Sequence, residues 1–175
     1  MTPTDEELVA SYRAGVEAAA DELVRRHATS LGRFLYGSGA PAAELDDLVQ
    51  EAFFRAFRGL DGWRGEASFR SWLYRIGTNL NRDRFRRQKG RQMVPIEDQE
   101  IPDHADPEGE AGANEMETRL LDELERLPRL QREVFLLRAQ QGLEYDQICA
   151  TLGTTPGAAR VHYHHAVKRL KEAVG

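Results

Sequence analysis

Three histidines lie within four positions near the end of the chain, at His162, His164 and His165. Imidazole is a common zinc ligand, and a helix presents two such ligands on one face only at a spacing of three or four residues. His162 and His165 meet that condition, but no neighbouring Cys, Asp or Glu joins them, and His164 projects to another flank of the predicted helix. We therefore do not expect a metal site here.

The stretch around these histidines, "ARVHYHHAVKRLK" at residues 159–171, is instead rich in positive charge. At about 100° per residue, its apolar side chains fall on one face of a helix, and the histidines fall outside that face. The apolar side chains are Ala159, Tyr163, Ala166, Val167, Leu170 and Val174, and the cationic ones are Arg160, Lys168, Arg169 and Lys171. Such a helix is typical of one that faces DNA.

The segment before this helix has the layout of a helix-turn-helix. In "YDQICATLGTTPGAAR", Ile148 and Leu152 supply the apolar face of a first helix, and Gly153 stands where a short turn needs a positive φ. Thr155 and Pro156 then suit the cap and the first position of the second helix.

A second cationic helix is predicted in "FRSWLYRIGTNLNRDRFRR", with Ser68 as its cap. Its predicted buried line is Phe69, Leu73, Ile76 and Leu80. Its predicted outward face carries Ser71, Arg75, Thr78, Arg82 and Arg86, flanked by Tyr74, Asn79 and Asn81. A cationic stripe with amides and an aromatic ring suits phosphates and unstacked bases, although a solvated basic helix is the alternative.

The stretch "AELDDLVQEAFFRAFRGL" is the most regular amphipathic helix of the first half of the chain. Its apolar stripe is Leu45, Val49, Ala52, Phe53, Ala56, Phe57 and Leu60, and the opposite side carries Asp47, Glu51, Arg55 and Arg58. Phe54 lies off the stripe, and either partial burial or a contact with another protein explains it.

Charge is distributed in blocks, although the net charge is −5. Six basic residues and one acid lie within residues 82–91, nine acids and no Lys or Arg within 92–117, and eight basic residues against four acids within 126–175. The middle block has three prolines and little apolar periodicity, which predicts a flexible linker. We therefore predict an all-α chain of two small helical domains, 1–91 and 118–175, joined by a flexible acidic linker, with a helix-turn-helix in the second.

Several classes of protein are excluded by the composition. No apolar run approaches the roughly 18 residues that a membrane span needs, and the acidic opening "MTPTDEELVA" is no secretory signal. Cys149 is the only cysteine, so an internal disulfide is excluded, and a packed side chain in a reducing cytoplasm is expected. There is no Gly-rich phosphate loop, GxSxG, HExxH or convergent carboxylate pair, so we expect no catalytic residue and no cofactor.

Three segments, taken together, resemble bacterial RNA polymerase sigma factors of the extracytoplasmic function (ECF) group of the sigma-70 family. They are "DDLVQEAFFRAFRGL", "SFRSWLYRIGTNLNRDRFRRQK" and "RLPRLQREVFLLRAQQGLEYDQICATLGTTPGAARVHYHHAVKRL". The likeness covers roughly residues 5–91 and 118–174. It implies a non-enzymatic initiation subunit in the cytoplasm, at the nucleoid. Its partners would be core RNA polymerase (the largest and second-largest subunits), promoter DNA and an anti-sigma factor.

The resemblance implies a role for each block of the chain. The first segment would bind the clamp coiled coil of the largest polymerase subunit through Asp46, Asp47, Gln50, Glu51, Phe54, Arg55 and Arg58. The loop Trp63–Ala67 and the helix after it would capture a melted, flipped base of the promoter −10 element. The residues that would contact the −10 element are Trp63, Arg64, Ser71, Tyr74, Arg75, Thr78, Asn79, Arg82, Asp83, Arg86 and Arg87. The last helix would enter the major groove of the −35 element through Thr155, Gly157, Ala158, Arg160, Val161, His162, His164, His165, Lys168 and Arg169.

The last helix departs from the pattern of the family. Basic residues are usual at positions 162 and 165, where this chain has histidines, and Thr and Val are common where it has Ala158 and Ala159. A histidine is mostly neutral near pH 7. We therefore expect −35 binding to strengthen as the pH falls from about 7.5 to about 6.

A stand-alone DNA-binding regulator and an enzyme are the two alternatives to a sigma factor. A stand-alone helix-turn-helix regulator would bind operator DNA as a dimer, but no dimerisation helix is visible, and the acidic whole-chain charge weakens unaided DNA binding. An enzyme has little support because the motifs named above are missing. Co-purification with core polymerase would distinguish the first two.

Overall fold

The computed structural model of the chain describes residues 1–91 and 115–175, and within those ranges it is all-helical. The helices are α1 (Asp5–Arg13), α2 (Glu17–Gly37), α3 (Ala42–Arg58), α4 (Phe69–Arg91), α5 (Glu115–Arg126), α6 (Arg129–Phe135), α7 (Tyr145–Leu152) and α8 (Pro156–Val174). A 3₁₀ turn (Leu60–Gly62) follows α3, and a π-helical turn (Leu136–Gln140) extends α6. The predicted all-α class is confirmed. Most of the predicted acidic linker, residues 92–114, lies outside the described residues.

Side-chain caps begin several of these helices. The hydroxyl of Thr4 accepts a hydrogen bond from the Glu7 amide over 3.2 Å, and the Glu7 carboxylate accepts one from the Thr4 amide over 2.8 Å. This reciprocal pair satisfies two amides that have no partner inside α1. Ser68 similarly accepts from the Ser71 amide over 3.1 Å and begins α4, as predicted.

The first module, formed by α1–α4, packs around the apolar faces of α2 and α4. Leu23, Leu31, Phe69 and Leu73 are fully buried there. A Cβ atom on Gly77 would lie 3.0 Å from Cδ1 of Leu31, so a larger residue there would require the Leu31 side chain to shift.

The second module, formed by α5–α8, packs on the first. Leu136, Leu137 and Ile148 belong to the same buried cluster as Phe34 and Leu35 of α2. At this contact a Cβ atom on Gly37 would lie 3.0 Å from Cδ1 of Leu136. The two modules therefore share one apolar core, a contact that helix periodicity did not predict.

Candidate nucleic-acid interface

The loop between α3 and α4 exposes three residues beside a buried tryptophan. The Trp63 side chain is 9% exposed and its indole Nε1 donates to the carbonyl oxygen of Ala67 over 3.1 Å. Arg64, Gly65 and Glu66 lie between these two residues and are exposed. Of the two loop residues predicted to contact DNA, Arg64 is accessible, whereas Trp63 chiefly shapes the loop.

One side of the first three turns of α4 is buried in the contact with the second module. Ser71 and Tyr74 are fully buried and Thr78 is 3% exposed, so the expectation that these side chains face solvent is wrong for this arrangement. Helix α7 packs across them, and the Thr151 hydroxyl donates to the Ser71 carbonyl oxygen over 3.4 Å. The solvent-facing side of α4 was predicted from local periodicity. That pattern carries no information about α7, in which Thr151 lies 80 residues beyond Ser71 in the chain.

Gln141 is the centre of the polar contacts across this interface. Its Oε1 atom accepts from a guanidinium nitrogen of Arg70 over 2.6 Å and from the Tyr74 hydroxyl over 3.0 Å. Its Nε2 atom donates to the carbonyl oxygen of Ser30 over 3.1 Å. The Tyr74 hydroxyl oxygen also lies 2.8 Å from the Ser30 hydroxyl oxygen, within hydrogen-bond distance. One amide thus forms hydrogen bonds with polar groups of both α2 and α4.

Two arginines of α4 are held by carboxylates. Arg82 lies 2.7 Å from Glu133 of α6, and Arg84 lies 3.1 Å from Glu44 of α3. Burial raises the pKa of Glu133, and Arg82 opposes that rise by favouring the ionised form. Arg82, predicted to contact DNA, is therefore paired within the protein in this arrangement.

The remaining predicted DNA contacts of α4 are accessible. Arg75, Asn79, Arg86 and Arg87 are exposed, and Asp83 is half-buried and lies 3.6 Å from Arg86. Three of the predicted contacts are therefore accessible arginines that have room to contact phosphates.

Helix α3 presents the predicted protein-binding face to solvent. Asp46, Asp47, Gln50, Glu51, Phe54, Arg55 and Arg58 are all exposed. Phe54 is 55% exposed, and the Arg58 guanidinium lies 5.7 Å from its ring centroid. A groove of about 650 Å³ runs beside this face, between α2 and α3, and is lined by apolar side chains that include Tyr36, Val49 and Phe53. An exposed phenylalanine beside an apolar groove is typical of a protein-binding surface.

The predicted helix-turn-helix is present in α7 and α8. Gly153 has φ of +70° in the turn, as predicted, and the Thr155 hydroxyl accepts from the Ala158 amide over 3.2 Å to begin α8 at Pro156. Ala159, Ala166 and Leu170 are buried.

The opposite side of α8 is open to solvent. Thr155, Gly157, Arg160, Val161, His164, His165, Lys168 and Arg169 are exposed, whereas Ala158 and His162 are half-buried. The Arg160 guanidinium lies 5.1 Å from the ring centroid of Tyr145. Among the residues that the structure describes, no group of three or more His, Cys, Asp or Glu side chains is placed to hold a metal ion.

Three residues that shape these surfaces were not predicted from the sequence. Glu133 follows the apolar spacing of Leu130 and Val134, and an acid on a buried stripe is a signal that a partner is needed. The local sequence does not indicate the roles of Gln141 and Arg13. The partner of Gln141, Arg70, lies 71 residues away in the chain, and the partner of Arg13, Trp63, lies 50 residues away.

No helix in residues 1–91 or 115–175 has the length and apolar character needed to span a membrane.

Comparison with known proteins assigns both modules. The family model described as "Sigma-70 region 2" matches residues 23–91, and the one described as "Sigma-70, region 4" matches residues 117–170. RNA polymerase sigma factor NccH of Alcaligenes xylosoxydans xylosoxydans is 32% identical over 171 residues, which covers 95% of this chain and 92% of that protein. ECF RNA polymerase sigma factor SigM of Mycobacterium tuberculosis is 32% identical over 174 residues, which covers 98% of this chain and 85% of that protein.

A solved structure is similar over nearly the whole chain. CnrH in complex with the cytosolic domain of CnrY superposes with a TM-score of 0.72 at 29% sequence identity. The superposition covers 96% of this chain and 95% of CnrH, so both modules are included.

Proposed function

Because this chain belongs to the ECF group of the sigma-70 family, and is therefore an RNA polymerase sigma factor, we propose how its surfaces bind polymerase and promoter DNA. Helix α3 binds core polymerase, the loop Trp63–Ala67 with α4 binds the −10 element, and α8 binds the −35 element. The role is non-enzymatic: the chain brings core polymerase to a promoter and stabilises melted DNA.

Polymerase binding by α3 is supported above all by the exposure of Phe54. A 55% exposed phenylalanine adds little to the stability of the module, because much of its ring stays in water. Exposed aromatic side chains surrounded by charge are frequent anchors of protein interfaces. Asp46, Asp47, Gln50, Glu51, Arg55 and Arg58 provide that charged and polar surround.

The experiment for this step is co-purification of the full chain with bacterial core RNA polymerase. Phe54→Ala should weaken the complex about tenfold or more, as expected for an interface anchor. Val16→Ala is the matched control, since Val16 is also an exposed apolar residue but lies between α1 and α2. Run-off transcription with the reconstituted holoenzyme, followed by mapping of the transcript start sites, then identifies the promoter. A wild-type chain that fails to bind core polymerase at micromolar concentration contradicts the proposed role of α3.

Recognition of the −10 element by the loop and α4 is supported by the accessible arginines and by the shape of the loop. Arg75, Arg86 and Arg87 contact phosphates without reading sequence. Extruding a base from the stack costs about a few kcal/mol, which contacts of the exposed Arg64 and Asn79 side chains with the base would recover.

The same assignment requires the two modules to separate on the promoter. Ser71, Tyr74, Thr78 and Arg82 reach DNA only when α6 and α7 leave α4. Separation also exposes the apolar side chain of Leu136, which is unfavourable in water. Binding to core polymerase therefore has to supply the free energy for opening, which explains why promoter binding would need the holoenzyme.

Recognition of the −35 element by α8 is supported by its exposed residues after the Thr155 cap. Arg160, Lys168 and Arg169 provide charge for phosphates, and the exposed side chain of Val161 provides an apolar contact for a thymine methyl group.

Two further assignments complete the proposed function. An anti-sigma protein masks the face of α3 and its neighbouring groove, which is supported by the similarity to CnrH bound to a domain of CnrY. The chain acts in a reducing cytoplasm at the nucleoid, which is supported by the presence of one cysteine, Cys149, that has no partner for an internal disulfide.

A further inference from the structure

The loop between α3 and α4 is tied to α1 by a single side chain. The guanidinium of Arg13 donates to the carbonyl oxygens of Leu60 and Trp63, the latter over 2.7 Å. Arg13 is the last residue of α1 and precedes Trp63 by 50 residues in the chain. A residue outside both flanking helices therefore fixes where the loop begins.

The ring of Trp63 is fixed by the same guanidinium. Cζ of Arg13 lies 5.7 Å from the indole centroid, within the range of a cation–π contact. The indole also packs edge-on against Phe69 and lies against Trp72, with centroid separations of 6.4 Å in both pairs. With the ring held in this way, its Nε1–H group is directed at the carbonyl oxygen of Ala67 and fixes the far end of the loop.

Between these two ties the chain presents Arg64, Gly65 and Glu66 to solvent. Gly65 has φ of +76°, in the left-handed region that favours glycine, so the loop depends on a specific backbone conformation. A loop that is already ordered loses less conformational entropy when it binds a flexible single strand. Its shape also determines which base fits beside it.

We propose that Arg13 is a positioning residue for the capture of a −10 base. It holds the start of the loop and the Trp63 indole so that residues 63–67 form a preformed pocket wall for a flipped base. Arg13 acts through Trp63 and the loop backbone. This role rests on the proposed function of the loop in −10 recognition.

The test uses holoenzyme reconstituted from the full chain and fork-junction DNA of its mapped promoter. An abasic nucleotide is placed at each non-template position of the −10 element in turn, and affinity is compared with the intact strand. In wild type, loss of the captured base should weaken binding about tenfold, the scale of one lost stacking contact. In Arg13→Ala that ratio should fall below about threefold, while affinity for core polymerase stays unchanged.

Three variants complete the test. Arg13→Lys keeps the charge but lacks the planar fork of donors, so the ratio should be intermediate. Trp63→Phe keeps an aromatic ring but lacks the Nε1–H donor to Ala67, so it should lower the ratio as Arg13→Ala does. Arg25→Ala, which removes an exposed arginine of α2 that pairs with Glu22, should keep the wild-type ratio.

Different outcomes overturn different statements. If the wild-type holoenzyme shows no position at which base removal weakens binding, −10 base capture itself is wrong. If wild type shows such a position and Arg13→Ala retains its full effect, the role of Arg13 is wrong while the proposed function stands. If Arg13→Ala fails to fold by circular dichroism, the ratios of Arg13→Lys and Trp63→Phe decide.

Discussion

A carboxylate oxygen of Glu133 lies 2.7 Å from a guanidinium nitrogen of Arg82, and this pair joins the second module to the helix proposed to bind the −10 element. The Glu133 side chain is 3% exposed and that of Arg82 is 26% exposed. Removal of the carboxylate from water costs more than the guanidinium groups of Arg82, Arg129 and Arg132 return, so the pKa of Glu133 is raised above its ordinary value of 4.5. The Arg82–Glu133 ion pair between α4 and α6 is therefore sensitive to pH.

Replacement of Glu133 by Gln should remove part of the pH dependence of stability. A carboxyl group whose pKa is raised on folding binds its proton more tightly in the folded state. The contribution of Glu133 to the free energy of unfolding is complete below about pH 4.5. It is lost as the pH rises through the raised pKa of the folded state. Urea unfolding of wild type and Glu133→Gln between pH 4.5 and pH 8 should therefore show wild type losing stability relative to the variant as the pH rises.

The control for this experiment is Glu123→Gln, which alters a carboxylate paired within α5 to the exposed Arg126 over 2.9 Å. Its stability should follow that of wild type across the pH range. Parallel curves for wild type and Glu133→Gln would show that Glu133 does not change its proton affinity on folding.

Replacement of Gln141 by Ala should loosen the contact between the modules. The variant loses an acceptor for Arg70 and for Tyr74 and a donor to Ser30, which should cost the closed arrangement about 1–3 kcal/mol. Hydrogen exchange of the α7 amides, measured on the free chain, should become faster by roughly fivefold to a hundredfold. Gln140→Ala removes only one exposed acceptor of the Gln141 amide and no contact to α2 or α4, so it should speed exchange much less than Gln141→Ala does. Unchanged exchange in Gln141→Ala would contradict the prediction.

The cap of the last helix provides a local test of stability. Thr155→Ala removes the acceptor of the Ala158 amide and should lower the free energy of unfolding by about 1 kcal/mol. Thr155→Ser keeps the hydroxyl and should restore most of that loss. Urea denaturation measures both variants, and equal stability of Thr155→Ala and wild type would mean that water satisfies the amide equally well.

The histidines of α8 lead to a prediction about DNA rather than metal. Histidine side chains gain positive charge as the pH falls from about 7.5 to about 6, which strengthens attraction to phosphates. His165 is exposed and His162 half-buried on the proposed DNA-facing side. Affinity of the holoenzyme for a −35 duplex should rise over that range, and it should rise less for the double variant His162→Gln, His165→Gln. Identical pH curves for the two proteins would contradict this prediction.

The helices and their ends could be predicted from the sequence because they depend on neighbours in the chain. The Thr155 cap, the left-handed turn at Gly153 and the position of Phe54 off the apolar stripe of α3 each follow from side chains within a few residues. The blocks of charge and the order of the three motifs likewise indicate the family without any tertiary contact.

The surroundings of α4 were decided only by the tertiary structure. Periodicity places Ser71, Tyr74 and Thr78 on one side of the helix, but whether that side meets water depends on the second module, in which Thr151 lies 80 residues beyond its partner Ser71. The polar character of these residues suggested exposure, whereas Gln141 and neighbouring hydroxyl groups satisfy their hydrogen bonds in the interior. Local sequence determines which way a side chain leaves its helix. Apolar packing and hydrogen-bond pairing between distant segments determine what it meets there.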